Sequence, residues 1–102
     1  ASSELDIDHL VPLKYAWTRG AYNWPKSKRV KFSNDESNLF AVKKSVNRQK
    51  SAMGPAMWLP PNDNFKCEYI KLFQGIVTKY DLRQAVDELS EIDIKMDKFC
   101  VN

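Results

Sequence analysis

The chain has 102 residues, 43% hydrophobic and 28% charged, which fits one domain and excludes a chain disordered by composition. No apolar run approaches the ~20 residues of a membrane-spanning helix. The net charge of +3 conceals a basic middle: residues 13–50 carry ten bases and two acids, residues 1–12 three acids and no base, and residues 51–102 six bases and eight acids.

In chain order, Glu4 to Leu10 alternates. Leu5, Ile7 and His9 fall on one face and Asp6 and Asp8 on the other, the pattern of a short half-buried strand. Pro12 is placed to open a helix at its first position. That helix puts Leu13, Ala16 and Trp17 on one face, and Gly20 can end it. After the Trp24-Pro25 break, residues 25–32 suit a second short helix with Val30 and Phe32 inward, closed by Asn34-Asp35. Leu39 to Val42 reads as a buried strand. Ser45 is a candidate cap for a short helix over Val46–Lys50. Gly54 and three prolines keep residues 52–61 irregular. Asn62 or Asp63 can cap a longer helix with Phe65, Tyr69, Leu72, Phe73, Ile76, Val77 and Tyr80 at helical spacing. A second helix is predicted from Asp81, with Gln84 completing a box-like cap and Leu82, Ala85, Val86, Leu89 and Ile92 inward. Trp17, Trp24 and Trp58 are expected in the core. No repeat, low-complexity segment or linker divides the chain.

Cys67 and Cys100 are the two cysteines. Without a CxxC pair, a zinc-finger type of site is not indicated. One disulfide and two buried thiols both fit the count. The start, ASSELDID, has no signal-peptide character and reads as a mature or trimmed N-terminus.

Three pieces carry chemistry: Asp8-His9 at the end of the first strand, Asn38 at the entrance to the second, and Asn47-Arg48-x-Lys50-Ser51 on the following helix. Strand, strand and short helix form a unit that can close around an ion. Asp8 offers a hard carboxylate oxygen and Asn47 an amide oxygen, a pair that suits Mg²⁺ with water and phosphate completing its shell. His9, the one histidine, is then free to act as a base, since imidazole ordinarily titrates near neutrality.

The stretches DIDHLVPL, SNLFAV and VNRQKS, in that order, resemble the HNH (ββα-metal) endonucleases, particularly the asparagine-ended variant in the HNH domain of RNA-guided CRISPR effectors. Across residues 4–100 the chain is most similar to small bacterial secreted HNH-family nucleases. These carry a DHxVPL motif, a segment like Ala16 to Trp24, an NR.K motif, a WLPP segment (Trp58 to Pro61) and a C-E-Y helix (Cys67 to Tyr69).

The resemblance implies a single α+β domain over residues 1–102. Its ββα-metal core spans about residues 4–51, with a helical insertion between the strands and a C-terminal helical part over about residues 62–100. It implies metal-dependent hydrolysis of DNA, duplex being the expected form, with low sequence specificity. Asp8 and Asn47 would hold Mg²⁺ or Mn²⁺. His9 would activate water, and Asn38 would brace the loop that orients it. Arg48 and Lys50 are the nearest phosphate contacts, with Lys43, Lys44, Lys28 and Arg29 tracking the backbone. Cysteines at the same places in secreted relatives imply a Cys67–Cys100 bridge and a secreted or periplasmic setting. A cytoplasmic or phage-borne nuclease, a toxin held by an immunity protein, and a binding module without catalysis are the competing readings. No membrane role is expected, and oligomeric state is left open.

Overall fold

The structure, a computed structural model, describes residues 4–101. Strand β1 spans Leu5–His9 and pairs antiparallel with β2, Leu39–Lys43. The register sets Asp8 opposite Phe40 and His9 opposite Leu39. Between the strands lie α1 (Leu13–Thr18), a 3₁₀ turn (Ala21–Asn23), α2 (Lys26–Ser33) and a second 3₁₀ turn (Glu36–Asn38). Helix α3 (Lys44–Lys50) follows β2 directly, and α4 (Asp63–Lys79) and α5 (Val86–Phe99) complete an α+β fold of ββα type.

The two-stranded sheet is covered by α3 on one face, the face that carries the acids of β1. Side chains alternate along a strand, so Asp6, Asp8, Phe40 and Val42 share it. The sequence pattern points the opposite way, with Leu5 and Ile7 inward, yet they are 49% and 72% exposed. The reason is the cover: α3 presents Asn47 and Lys50, whose side chains bond to Asp6 and Asp8. Acids that find partners can be enclosed.

Helix α4 is the spine of the core. Its buried residues Tyr69, Ile70, Phe73, Ile76 and Val77 keep the expected spacing, and the Asn62 side chain caps it through the Asn64 N–H at 3.0 Å. Around it pack Leu10, Val11, Tyr15, Ala16, Phe32, Tyr80 and Leu82, with Trp24 and Trp58 partly buried against them. Trp24, Phe32 and Tyr80 form a ring cluster with centroids 4.9–5.6 Å apart.

Helix α1 turns inward through Tyr15 and Ala16, not through Leu13 and Trp17, which are each 47% exposed. Tyr15 takes the interior place because both ends of its side chain are served. Its ring meets Phe73 edge-on at 5.1 Å, and its hydroxyl donates to Glu88 at 2.6 Å and accepts from Gln84 at 2.9 Å. Val30 is likewise turned out, at 48% exposure. Ser45 does not cap α3, which begins one residue earlier, at Lys44, without a side-chain cap.

The last helix starts at Val86, not Asp81. Asp81 has φ +54°, and Leu82 N–H returns to Val77 O at 3.0 Å, closing α4 through a left-handed residue. Leu82 is buried as expected, but from this turn, whereas Val86 is 82% exposed. Helix α5 instead docks through Ile92, through Glu88, which receives a forked pair from Arg19 at 2.9 Å, and through Lys95, which donates to Pro55 O and Ala56 O. Cys67 and Cys100 are bridged, tying α4 to the end of α5. Among the described residues no helix is long and apolar enough to cross a membrane.

Candidate functional site

The site is assembled where β1 ends. The antiparallel register sets the residue before β2 beside the residues after β1, and the chain stitches them together. Leu10 N–H donates to Asn38 O at 2.8 Å. The Asn38 side chain, wholly buried, accepts from Val11 N–H at 2.8 Å and donates to Val11 O at 3.1 Å. Asn38 thus acts on the backbone just after His9 and does not touch the imidazole.

The ring of His9 is held by a different group. Its Nε2 lies 2.8 Å from the carbonyl oxygen of Ser33, at the end of α2. A carbonyl only accepts, so Nε2 carries a hydrogen, and in the neutral ring the lone pair is then on Nδ1. This partner was not legible in the sequence, because a backbone carbonyl carries no side-chain signature. The helical insertion therefore has a direct role: α2 delivers the atom that fixes the tautomer.

Asp8 leaves the strand on the opposite face from His9, toward α3. There Lys50 Nζ lies 2.6 Å from Asp8 Oδ2 and 2.6 Å from His9 O. The Lys50 residue is 4% exposed. Burial pulls its ammonium below the ordinary lysine range, while Asp8 works in the opposite sense. Lys50 is thus turned inward among the site's own oxygens, apart from the exposed bases. One turn earlier on α3, Asn47 Nδ2 donates to Asp6 Oδ2 at 3.1 Å. A carboxylate can only accept, so Asp6 fixes which way the amide faces. Asp6, on the same strand face as Asp8, is part of the arrangement.

Asp8, Asn47 and Lys50 line one cleft with Phe40, Trp58 and Tyr69. The Tyr69 hydroxyl is buried and has no hydrogen-bond partner among the described residues. Burial, reinforced by the charge of Asp8, raises its pKa well above the ordinary tyrosine value. Among the described residues no group of three or more His, Cys, Asp and Glu converges, so a site closed by such side chains alone is not formed. Asp8 and Asn47 share this cleft, and the Lys50 ammonium there holds both Asp8 and the His9 carbonyl.

The remaining predicted bases fall in two places. Lys43, Lys44 and Arg48 are exposed around a shallow depression at the start of α3. Lys28 and Arg29 lie on α2, with Lys28 Nζ 4.5 Å from the Trp24 ring centre and the Arg29 guanidinium 5.7 Å from that of Trp17.

A secreted, uncharacterized protein of Arthroderma benhamiae is 42% identical over 94 residues, a match that covers 90% of this chain and 46% of that protein. The chain thus spans about half the length of this curated relative. No solved structure matches significantly. The family described as the C-terminal domain of GmrSD restriction endonucleases matches residues 1–92. With a match over most of its length, the chain belongs to this nuclease-related family.

Proposed function

We propose that the domain is a metal-dependent endonuclease that hydrolyses DNA phosphodiester bonds, with His9 as general base. The observation that carries this is the His9 Nε2 contact with Ser33 O, which leaves Nδ1 of the neutral ring as the basic nitrogen. Asp8 and Asn47 are the residues to hold Mg²⁺ or Mn²⁺. Such an ion supplies charge stabilisation at the phosphate and at the departing 3′ oxygen.

The chain's own groups do the rest. Nδ1 of His9 takes the proton of the attacking water. Ser33 O holds the ring through Nε2–H and stabilises the imidazolium once formed. Asn38 keeps the turn after His9 from shifting, and Lys50 fixes Asp8 and the His9 carbonyl relative to α3. Lys43, Lys44, Arg48, Lys28 and Arg29 supply phosphate contacts that position nucleic acid without reading its sequence, which favours low specificity. The bridge Cys67–Cys100 and the secreted relative support an extracellular or periplasmic setting.

A supercoiled-plasmid assay tests the reading. Wild type should nick plasmid with Mg²⁺ or Mn²⁺ and lose activity with chelator, and His9→Ala should be inactive while melting like wild type. Equal cleavage by His9→Ala would remove the mechanism.

A further inference from the structure

Helices α1 and α2 enclose a groove of which the proposed function uses only Arg29 and the Ser33 carbonyl. Leu13, Trp17, Lys26, Arg29, Val30 and Ser33 line it. Leu13 and Trp17 are each 47% exposed and Val30 48%, and Tyr22, beside Trp17, is 57% exposed. These are not scattered surface residues. Leu13, Trp17 and Val30 occupy positions that helical periodicity directs inward, and Tyr15, Ala16 and Phe32 fill the core in their place. A contiguous apolar patch kept in water marks a surface with a partner.

The chemistry of the groove narrows that partner. No acidic residue lines it. The Arg29 guanidinium is 5.7 Å from the Trp17 ring centre, and the Tyr22 ring meets Trp17 edge-on at 6.4 Å. Arg29 and Lys26 are exposed. The complementary ligand is flat and apolar on one part and anionic on the next, as a nucleobase and its phosphate are. Aromatic faces beside cations bind single strands with little regard to sequence. One lining residue, Ser33, is the residue whose carbonyl contacts His9, so the groove and the proposed general base share it.

The geometry points to this groove as a binding site for an unpaired nucleic-acid strand, with a base stacked on Trp17 and the neighbouring phosphate on Arg29 and Lys26. The inference rests on the nuclease reading and adds a substrate class to it. A base reaches Trp17 only when it is out of a duplex, so single strands and frayed ends bind better than intact duplex.

The test is fluorescence anisotropy with labelled oligothymidylate, an abasic oligomer of equal length and a blunt duplex, in chelator so that nothing is cleaved. Wild type should prefer oligothymidylate to the other two. Trp17→Ala should weaken oligothymidylate binding about tenfold and leave abasic binding unchanged, while Trp17→Phe restores most of the loss. Arg29→Ala should weaken both single strands and lower the salt dependence. Thermal melts of each variant confirm that these exposed positions leave the fold intact. A wild type that cleaves DNA, with Trp17→Ala and Arg29→Ala binding oligothymidylate as it does, overturns the groove alone. A wild type that neither binds nor cleaves nucleic acid overturns the nuclease reading with it.

Discussion

Asn38 grips Val11 from 27 residues away, donating to its carbonyl at 3.1 Å and accepting from its amide at 2.8 Å. Both residues are fully buried, so water cannot replace either bond. Asn38→Ala would strand a buried donor and acceptor, each costing about 1–3 kcal/mol. Urea unfolding should show a loss of about 2–6 kcal/mol. Activity should fall further than stability, since the loosened turn follows His9 directly. An unfolding midpoint within error of wild type would show that the brace is not there.

Asp35 ties the turn leading to Asn38 onto the end of α4. Its carboxylate accepts from Lys79 at 2.7 Å, Ser37 Oγ at 2.6 Å and Tyr80 at 2.6 Å. The Lys79 bond above all, with Ser37 and Tyr80, holds its carboxyl well below the usual carboxylate range. The fold therefore keeps the proton off Asp35 more strongly than the unfolded chain does. Its contribution is complete above the unfolded value near ~4 and is lost as pH falls below that. Burial, then the bond to Asp35, pushes the Tyr80 hydroxyl up to about 12. That contribution is complete below about 10 and disappears as pH rises toward 12. Melting temperature against pH should show Asp35→Asn below wild type at neutral pH, with the gap closing as pH drops from about 4 toward 2. A constant gap would mean that Asp35 acts without its charge.

The two strands, the helical insertion, α3 and the span of α4 were legible because periodicity, proline and cap residues report on local structure. Asp8, His9, Asn38 and Asn47 were legible as motifs. Facing was not legible at β1, where Ile7 lies outside and Asp6 inside. The cause is α3, remote in sequence, whose Asn47 and Lys50 give the acids partners. The same limit explains Trp17, displaced from the core by a tyrosine whose hydroxyl reaches Glu88, 73 residues away. Ser33 was invisible because its backbone makes the contact. Lys50 reads beside Arg48 as a phosphate contact because sequence shows charge and not burial. The start of α5 was misread because the left-handed turn at Asp81 occurs in a residue type that also opens helices.

The Cys67–Cys100 bridge closes a loop with a sequence separation of 33. In the chain-entropy account such a loop stabilises the fold by roughly 3–4 kcal/mol. Replacing both cysteines with serine should lower the urea midpoint accordingly, and reductant should shift wild type to the same place. A thiol assay on untreated protein should find no free cysteine. Wild type that unfolds identically with and without reductant would remove the stabilising role.

Asp6 makes the sharpest test of the proposed ion site, because it bonds to a ligand candidate without being one. By accepting from Asn47 Nδ2, it leaves Oδ1 as the amide atom for the ion. Partners that orient ligands are typically worth about 10–100-fold in affinity. Calorimetric titration of Mn²⁺ without DNA should show Asp8→Ala and Asn47→Ala losing measurable binding. Asp6→Ala should weaken binding about tenfold. Asp6→Asn should recover most of that loss, since its own amide oxygen can still accept from Nδ2. If Asp6→Asn binds as poorly as Asp6→Ala, the carboxylate itself contacts the ion. If Asp8→Ala and Asn47→Ala bind Mn²⁺ like wild type, the cleft between β1 and α3 is not where the ion sits.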